Sequence, residues 1–467
     1  MASAIEEWLD IEVKENTGLT DEEIMQSYAP DLWYETKRGN MELDENVFAE
    51  AFTEVNHLRY NNGLFYTKTG KATEELLSKD VWESLRDMGV KKDVERTTKK
   101  LVGAVKLAAT VDRLTVDPNI IPFANGDFYV REWCFHYEEY GSYPYRLSVP
   151  LAFELQDTPN FQKWLRDLFM DEDIGVVQEY LGYCLIPTTR AQKALFLVGE
   201  GGAGKSVMGV ILESILGDAL LSTPNSQEFM QDKFKLPELE HRLVLYDDDL
   251  SSEALKDTGL YKKLITNTIS LSADRKYGQP FKFQPYVKIV SCCNEMLGSI
   301  YDNTSGFYRR LLPILVKPVA EDFKPDLRFY DKIRSERQGI VQWALIGLRR
   351  LMEQNWVLSE SKRSREYLQG KQELGNHFPQ FMEAAFTFGD GRMATTEIIK
   401  TYKAWCLQNA FTPKGDTTLQ KWLGDNAEKY KLRSSNNIPL SSGKRVRGYY
   451  GLTVKKEWNY NGMIALV

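Results

Sequence analysis

A glycine-rich stretch between an apolar run and a helical pattern constrains this chain more than any other feature. Residues 194–198 are apolar and predict a buried strand, while Met208, Ile211, Leu212 and Ile215 recur with helical spacing. Between them the sequence follows the pattern G-x-x-x-x-G-K-S. Strand, glycine-rich pattern and helix in this order are the context that a phosphate-binding P-loop requires. The sequence therefore predicts a nucleoside triphosphate site within an α/β fold.

Each residue type in residues 199–206, which we call the P-loop segment, has a physical role in the predicted site. Glycines let backbone N–H groups curl around phosphates, and the start of the next helix adds partial positive charge. Lys205 can reach the β- and γ-phosphates, and the Ser206 hydroxyl can bind Mg²⁺. The alternative is a glycine-rich turn that fits the pattern by chance. The predicted nucleotide-binding residues are Gly199, Glu200, Gly201, Gly202, Ala203, Gly204, Lys205 and Ser206.

A second predicted strand, residues 243–246, is followed by three consecutive carboxylates. P-loop ATPases use carboxylates after a strand to hold Mg²⁺ and to orient the attacking water. We assign Asp247 to the Mg²⁺ shell with Ser206, and Asp248 to orienting or activating water. Asp249 is interpreted as a bystander. An exposed acidic turn is the structural alternative.

Two further polar side chains adjoin predicted strands. Residues 286–293 predict a strand that ends at Asn294, whose amide can sense the γ-phosphate and position water; a turn cap is the alternative. Arg310 precedes another apolar strand and suits an arginine finger, with Arg309 as the reserve. Such a finger often completes a neighbouring subunit's site, so it implies a ring. A surface pair on a solvated loop is the competing interpretation.

Residues 269–283 predict a β-hairpin between the second and third strands. Ile269 and Leu271 alternate on one arm, and Phe281 and Phe283 alternate on the other. Two cations and an aromatic ring at the tip fit single-stranded nucleic acid, since cations attract phosphates and a ring can stack on a base. A solvated tip without a ligand is the alternative. The tip residues are Arg275, Lys276 and Tyr277.

Composition limits the class of protein. Of 467 residues, 43% are hydrophobic and 27% are charged, which is ordinary for a globular protein. The sequence contains no run of about 18 apolar residues, and its acidic N-terminus does not resemble a signal peptide, so we expect no membrane association. Five cysteines without a C-x-x-C pair favour reduced thiols and a cytoplasmic location, and four scattered histidines do not favour a His-based metal centre.

Charge is distributed unevenly. The net charge of −7 would argue against nucleic-acid binding. However, residues 1–50 contain 14 acidic and 3 basic side chains, whereas residues 411–467 contain 10 basic and 4 acidic side chains. A local excess of cations is typical of a nucleic-acid-binding face, although random clustering on a solvated surface gives the same pattern.

Local patterns predict further elements along the chain. Residues 1–35 predict a lightly docked arm, and residues 359–375 predict a polar connector. An Asn-Gly step at 125–126 predicts a hairpin over residues 119–131. Helices are predicted at 46–58, 73–107, 331–353 and as a pair between 161 and 183, and a strand at 64–67.

Together these motifs resemble the superfamily 3 helicases, an AAA+ class found in DNA viruses, phages and mobile elements. The resemblance is nearest to the helicase portion of poxvirus-type and satellite-phage primase-helicases. The P-loop segment is similar to motif A, and Asp247 with Asp248 is similar to motif B. Asn294 is similar to the sensor of motif C, Arg310 to the arginine finger, and the hairpin to the DNA-gripping B′ loop.

This resemblance implies an organisation around an AAA+ P-loop ATPase core. It implies a mixed α+β N-terminal accessory or oligomerisation domain and a C-terminal winged helix. Relatives often carry an N-terminal primase, but residues 1–150 contain no D-x-D pattern for its metal ligands, so we expect no primase site in this domain. Within the winged helix it implies helices at 394–410 and 417–427 and a wing at 444–453, with Lys444, Arg445 and Arg447 contacting DNA. The expected boundaries are 1–150 for the N-terminal domain, 151–190 for a helical collar, 191–325 for the core, 326–375 for a helical lid and connector, and 376–467 for the winged helix.

The resemblance also implies a function. We expect a ring-forming, hexameric, replicative DNA helicase of a phage or mobile element, acting in a bacterial host's cytoplasm. It would use ATP and Mg²⁺, pull single-stranded DNA at a fork with its hairpin loops, and work with a separate primase. An origin-binding initiator or loader, whose ATPase controls assembly on DNA, is the alternative. A packaging or defence ATPase is a third interpretation.

Overall fold

The computed structural model describes residues 11–15, 18–68, 70–112, 114, 116–137, 143–223, 229, 232, 234–250, 259–266, 270–274, 280–296, 305–320, 326–375, 377–409, 411, 413–440 and 443–458. These residues divide into two units. The larger unit contains the described residues of Met1–Ser252, Gly259–Met296 and Arg309–Arg365. The smaller unit contains those of Leu297–Tyr308 and Glu366–Val467.

Helices and strands alternate along most of the described chain. The helices are α1 Asp21–Tyr28, α2 Glu45–Val55, α3 Glu74–Asp87, α4 Val94–Ala108, α5 Pro159–Leu168, α6 Asp171–Cys184, α7 Val207–Leu216, α8 Gly259–Thr266, α9 Ser305–Tyr308, α10 Phe329–Ser335, α11 Arg337–Glu353, α12 Lys362–Gly375, α13 Phe378–Ala385, α14 Thr395–Gln408 and α15 Asp416–Asp425. None of these described helices is long and apolar enough to cross a bilayer.

The strands are short, and most belong to small sheets. They are β1 Glu12–Lys14, β2 Trp33–Glu35, β3 Met41–Leu43, β4 Arg59–Asn61, β5 Leu64–Thr67, β6 Gly70–Ala72, β7 Ile120–Phe123, β8 Gly126–Tyr129, β9 Cys134–Tyr137, β10 Ala194–Val198, β11 Leu220–Thr223, β12 Val244–Asp247, β13 Leu271–Ala273, β14 Phe281–Phe283, β15 Lys288–Cys293, β16 Leu311–Leu315, β17 Phe386–Ala394, β18 Arg433–Pro439 and β19 Arg445–Val454.

A five-stranded parallel sheet forms the centre of the larger unit. Its strand order is β11-β12-β15-β10-β16, so β15 lies between β10 and β12. Every residue of β10, β12 and β15 is buried. Parallel strands covered on both faces are continuous apolar runs, which is the pattern that predicted these three strands. The predicted α/β fold is therefore confirmed, and its central sheet is parallel.

Helices α6 and α11 cross at very short range within this unit. A Cβ at either Gly182 or Gly347 would overlap backbone atoms of the opposite helix. Beside the crossing, Arg350 Nε donates to Glu179 Oε1 at 2.7 Å, and the backbone N–H of Ser359 donates to Glu179 Oε2 at 2.8 Å. Only 1% of Glu179 is exposed. Its charge is therefore paired and hydrogen-bonded, as a buried carboxylate requires.

The N-terminal part of the chain is more ordered than the predicted arm. Strand β1 pairs in parallel with β9, which adds it to the sheet β1-β9-β8-β7. Helix α1 begins with a capping box, in which Thr20 Oγ1 accepts from the Glu23 N–H at 3.2 Å and Glu23 Oε2 accepts from the Thr20 N–H at 2.7 Å. The prediction of a lightly docked arm is wrong for these elements, because a strand partner and a cap hold them in place.

The predicted helix over residues 73–107 is two helices, α3 and α4. Gly89 has a left-handed φ of 78°, and its N–H donates to the Arg86 carbonyl at 2.9 Å. A glycine in this conformation commonly ends a helix, and it ends α3 here. The predicted helix at 46–58 is confirmed as α2, although α2 ends earlier, and the predicted strand at 64–67 is β5.

The predicted helix over residues 331–353 is also divided, between α10 and α11. The division falls at Glu336, whose carboxylate turns to the start of α5. There it accepts from the backbone N–H groups of Asn160 at 3.0 Å and Phe161 at 2.8 Å. These donors have no partner within their own helix, so Glu336 caps α5 from a distant part of the chain.

The hairpin over residues 119–131 is confirmed as β7 and β8. Its two-residue turn is at 124–125, so Gly126 is the first residue of β8 and not part of the turn. A Cβ at Gly126 would overlap the His136 carbonyl on β9. The glycine is therefore explained by this close contact between strands and by its φ of 151°, which a residue with a side chain rarely adopts.

The predicted polar connector at residues 359–375 contains a helix, α12. Ser361 Oγ accepts from the Ser364 N–H at 3.1 Å, which is the bond that a serine cap makes at a helix start. Lys371 Nζ lies 5.6 Å from the ring centre of Tyr367, one turn earlier. Because α12 has few apolar residues, its helical pattern was too weak to predict it.

Within the smaller unit, the described residues of 378–454 form three helices and an antiparallel sheet of order β17-β19-β18. The element order of this segment is α13-β17-α14-α15-β18-β19. The helices predicted at 394–410 and 417–427 are α14 and α15. Tyr402, Trp405 and Leu419 belong to its buried core.

A lysine is buried at the start of β15. Only 2% of Lys288 is exposed, and its Nζ donates to the carbonyls of Ile186 and Tyr286. Burial lowers the pKa of Lys288 to about 7, and the nearby Cys184 only partly offsets this effect. In the unfolded chain this lysine keeps its proton up to a pH near 10.5. Below pH 7 it is charged in both states, so the full cost of burying the charge destabilises the folded state. This cost is relieved as pH rises from 7 to 10.5, because the folded state loses the proton first.

We expect the difference in free energy of unfolding between a Lys288→Met protein and the wild type to show this pH dependence. The variant's free energy of unfolding should exceed that of the wild type by the largest amount below pH 7, where Lys288 is charged in both the folded and the unfolded wild-type chain. The advantage should fall by about 1.4 kcal/mol per pH unit between pH 8 and pH 9.5, since one proton is involved. Guanidinium unfolding of both proteins at several pH values measures it. A difference that does not change with pH would contradict this account.

Candidate functional site

The P-loop segment follows β10 at the carboxyl edge of the parallel sheet. Gly202 and Gly204 have left-handed φ values of 81° and 93°, which a residue with a side chain adopts only with strain. Apart from the adjoining residues, no heavy atom of the described part of the chain lies within 4 Å of the position that a Cβ would take at Gly201 or Gly202. This part of the segment is therefore open, as a cradle for phosphates must be, and α7 begins directly after it.

The lysine of the segment is folded back onto it. Only 8% of Lys205 is exposed, and its Nζ donates to the carbonyls of Gly199 at 2.5 Å and Glu200 at 2.8 Å. These acceptors keep a buried ammonium group hydrogen-bonded. A triphosphate in the cradle would offer charged acceptors in their place, and hydrogen bonds to charged groups are stronger.

Helix α5 supports the segment from outside the sheet. The indole Nε1 of Trp164 donates to the Gly204 carbonyl at 3.0 Å. The Lys317 N–H, just after β16, donates to the Leu168 carbonyl at the end of α5 at 2.8 Å. Sequence reasoning placed Trp164 only on the apolar face of a helix. Its indole N–H, a donor that needs a partner when buried, was the available signal for a second role.

The carboxylates and the amide predicted for this site lie at the same sheet edge. Asp247 is the last residue of β12, and Asn294 follows β15 directly. The Gly199 N–H donates to the Cys293 carbonyl at 3.1 Å, so the P-loop segment starts beside Asn294. Neighbouring strands are about 4.8 Å apart. The structure therefore brings the P-loop segment, Asp247, Asp248 and Asn294 together.

The two predicted catalytic carboxylates differ in environment. Asp247 is fully buried opposite Ser291 of β15, and its Oδ1 accepts from the Asp249 N–H at 3.3 Å. Asp248 is exposed, and its Oδ1 accepts from the hydroxyl of Tyr246. Adjacent residues at a strand end point to opposite faces, which separates the two carboxyl groups.

The thiol of Cys292 on β15 lies 3.5 Å from the Tyr246 hydroxyl on β12. Burial raises the pKa of Cys292 to about 12; the negative charge of Asp248 adds to this rise and the positive charge of Lys205 opposes it. Both charges therefore act on one buried group.

Arg310 lies at the opposite edge of the sheet. It directly precedes β16, and its carbonyl accepts from the Ala194 N–H at 2.8 Å at the start of β10. Its position is separated from the carboxyl edge by the length of β16, about 17 Å at about 3.3 Å per residue. Within one subunit, Arg310 is therefore remote from the P-loop segment. Arg309 beside it is exposed.

The predicted hairpin is confirmed in its arms. Strand β13 pairs antiparallel with β14, with Leu271 opposite Phe283 and Ala273 opposite Phe281. The predicted nucleic-acid-binding residues Arg275, Lys276 and Tyr277 lie outside the described residues.

The predicted basic hairpin of the smaller unit is formed by β18 and β19. Lys444, Arg445 and Arg447 are all exposed. Arg445 and Arg447 are two residues apart on β19 and therefore share one face of the sheet. The three cations form a local positive surface, as the charge distribution predicts.

Two family models match separate parts of the chain. A model described as D5 N terminal like matches residues 23–170, and a family of unknown function, DUF5906, matches residues 197–310. The second match contains the P-loop segment and ends at Arg310. The sequence matches no curated protein.

The fold is similar to that of two solved structures of the C-terminal region of NrS-1, both described as A-form apo structures. The first is 11% identical, with a TM-score of 0.50, and covers 88% of this chain and 100% of its own. The second is 12% identical, with a TM-score of 0.50, and covers 87% of this chain and 100% of its own. The likeness extends over most of this chain, and at this identity it establishes the fold alone.

The Trp164 contact provides a test of the predicted nucleotide site. A Trp164→Phe protein keeps an aromatic ring in α5 but loses the bond to Gly204. We expect it to bind ATP about two- to tenfold more weakly, since a neutral hydrogen bond contributes about 0.5–1.5 kcal/mol. Titration with a fluorescent ATP analogue measures the change. Trp343→Phe is the matched control, because Trp343 packs on Phe161 of the same helix, with ring centres 5.0 Å apart. Equal losses in both variants would contradict the assigned contact.

Proposed function

We propose that this chain is a ring-forming, ATP-dependent replicative DNA helicase of the superfamily 3 type, from a phage or another mobile element. The observation that carries the proposal is the shared sheet edge at which the P-loop segment, Asp247, Asp248 and Asn294 lie. The match to the D5 N terminal like model and the likeness to the NrS-1 C-terminal region support a phage protein of the primase-helicase type. A bacterial host's cytoplasm is the proposed location.

The strand order supports an AAA+ core in this proposal. AAA+ ATPases carry one strand between the P-loop strand and the acidic strand, and its end bears the polar sensor. Strand β15 has that place between β10 and β12, and Asn294 follows it. The closely spaced helices α6 and α11 would then brace the core from the proposed collar and lid.

The residues at the sheet edge fit ATP with Mg²⁺. The open backbone at Gly201 and Gly202 leaves room for phosphates, and Lys205 already lies against the segment. The described residues contain no cluster of three or more acidic, His or Cys ligands for a metal. Mg²⁺ typically takes one or two carboxylates together with phosphates and water, which suits Ser206 and Asp247. The bound ion would neutralise charge that develops on the γ-phosphate.

Asp248 and Asn294 would handle water in this mechanism. Asp248 is the exposed carboxylate, so it can accept a proton from, or orient, a water molecule in line with the γ-phosphate. The Asn294 amide at the neighbouring strand end would hold that water and report the presence of the γ-phosphate. Lys205 would hold the β- and γ-phosphates in place throughout.

The position of Arg310 favours a ring. An arginine finger must touch the γ-phosphate, and Arg310 lies at the wrong edge to reach its own subunit's site. A neighbouring subunit related by rotation would receive it instead. We propose a hexamer in which each Arg310 completes the next site and the hairpin tips grip single-stranded DNA in the channel. A separate primase would supply primers.

We expect Lys205→Ala to abolish ATP hydrolysis and unwinding of forked DNA. Arg310→Ala should lower kcat by about 10³-fold or more, which is the scale of arginine-finger effects. Arg309→Ala is the matched control, with kcat within about twofold of wild type. Measurements are steady-state hydrolysis and strand displacement on forks with 3′ or 5′ tails.

Mixed rings test whether the finger acts between subunits. Arg310→Ala subunits retain an intact P-loop segment, and Lys205→Ala subunits retain an intact finger. Mixing the two inactive proteins before assembly should therefore restore some hydrolysis. No recovery in mixed hexamers would contradict a finger that acts in trans. Unwinding by Lys205→Ala protein alone would contradict the proposed function itself.

An origin-binding initiator or loader is the second candidate, and the smaller unit favours it. The element order of residues 378–454 and the β18–β19 hairpin would fit a winged helix, and Lys444, Arg445 and Arg447 are exposed on that hairpin. A wing with three cations could hold duplex DNA while the ATPase controls assembly. Both activities can reside in one chain.

Salt titration tests the proposed wing. Replacing Lys444, Arg445 and Arg447 with Ala should weaken duplex binding and reduce the slope of log K against log salt by about 0.9 for each phosphate that the variant no longer neutralises. Lys400→Ala, an exposed cation on α14, is the control and should leave the slope unchanged. An unchanged slope in the triple variant would contradict a DNA-binding wing. A wild-type preference for one duplex sequence would favour the initiator.

A further inference from the structure

We propose that Tyr246 is a positioning residue that aims Asp248 at the nucleotide, and that residue 209 is a glycine because the tyrosine ring needs its space. The inference rests on the proposed ATPase function and deepens it. Sequence reasoning treated Tyr246 only as part of an apolar strand. Its hydroxyl, however, is the group that contacts the exposed carboxylate.

The first observation is the hydrogen bond. The Tyr246 hydroxyl donates to Asp248 Oδ1, and it lies 3.5 Å from Cys292 Sγ. Only 4% of Tyr246 is exposed, whereas Asp248 is an exposed residue. A rigid buried side chain thus reaches out to a carboxylate that would otherwise rotate freely in water. The bond selects one orientation of Asp248.

The second observation fixes the ring that carries this hydroxyl. A Cβ built at Gly209 would lie 2.5 Å from Cε1, 2.8 Å from Cζ and 2.9 Å from the hydroxyl oxygen of Tyr246. Gly209 belongs to α7, the helix that continues the P-loop segment. The ring is therefore pressed against the phosphate-binding helix itself, and any larger residue at position 209 would displace it.

The third observation is the direction of the hydrogen bond. The Tyr246 hydroxyl has one proton to donate, whereas an ionised carboxylate can only accept. The Cys292 thiol, 3.5 Å from that hydroxyl, is a weak acceptor. The tyrosine proton is therefore directed to the carboxylate, which is the stronger acceptor.

These contacts join three parts of the proposed site. Tyr246 is one residue before Asp247 on β12, it packs on α7, and it touches Cys292 on β15. Asp248 is thereby held in a fixed relation to the P-loop segment before ATP binds. Such preorganisation acts on the chemical step more than on binding, since small displacements of a reacting group cost large factors in rate.

The test is a Tyr246→Phe protein, which keeps the ring against Gly209 and removes only the hydroxyl. We expect kcat for ATP hydrolysis to fall about 10- to 100-fold, with KM for ATP within about twofold of wild type. Tyr286→Phe is the matched control. Tyr286 is also buried, and its hydroxyl lies 3.4 Å from His241 Nδ1. Its kcat should stay within about twofold of wild type.

A double-mutant cycle shows whether Tyr246 acts through Asp248. If it does, Asp248→Asn with Tyr246→Phe should hydrolyse ATP no more slowly than Asp248→Asn alone. The comparison remains valid if Tyr246→Phe lowers the Tm, because the same loss of stability is present whether the substitution is made in the wild type or in Asp248→Asn. If the fold-loss of kcat in the double variant equals the product of the fold-losses in the two single variants, the inference is overturned.

The outcomes separate this inference from the proposed function. If the wild-type protein, tested with single-stranded DNA present, does not hydrolyse ATP, the proposed function fails. If it hydrolyses ATP and Tyr246→Phe is equally active, the positioning role alone is overturned. A rise in KM with unchanged kcat would overturn it too, since that pattern indicates a role in binding.

Discussion

The hydrogen-bonded register between β10 and β15 is the constraint on which the candidate site depends. It places Val198 opposite Cys293, and the next bond, from the Gly199 N–H to the Cys293 carbonyl, joins the start of the P-loop segment to the strand that ends at Asn294. Tyr180 holds this pair from α6, because its hydroxyl accepts from the Leu195 N–H at 3.2 Å and donates to the Ile289 carbonyl at 2.9 Å. A shift of one residue between these strands would move every buried side chain to the wrong face.

The surrounding helices keep that register by contacts between distant parts of the chain. Glu336 divides one helix and caps another, while Glu179 and Arg350 pair beside the tight crossing of α6 and α11. Only 1% of the Glu179 side chain is exposed, against 34% of the Arg350 side chain, so losing Arg350 would leave a buried carboxylate held by Ser359. The support of the candidate site is therefore polar as well as apolar. Helix α5, which Glu336 caps, carries Trp164 to the P-loop segment.

Short-range patterns predicted the parts of the structure that short-range physics determines. The glycine-rich motif between a strand and a helix, the acidic strand end and the hairpin arms could be read directly from the chain. Three other features could not be predicted in this way: the helix end at Gly89, the cap that Glu336 makes on α5, and the close strand contact at Gly126. Each depends on partners or backbone geometry that periodicity does not describe. Trp164 and Tyr246 were missed for the same reason. Their rings satisfied the apolar pattern, and only the fold shows where their polar atoms point.

The pairing of β10 with β16 has a mechanical consequence. Ala194 at one end of this pair is bonded to Arg310, and the P-loop segment continues from the other end. The strands between them are buried and hydrogen-bonded along their length, so they resist both stretching and bending. In the proposed ring, a tilt at the phosphates of one subunit would therefore be transmitted along β10 and β16 to Arg310, which faces the next subunit. This strand pair would then couple the movements of successive subunits.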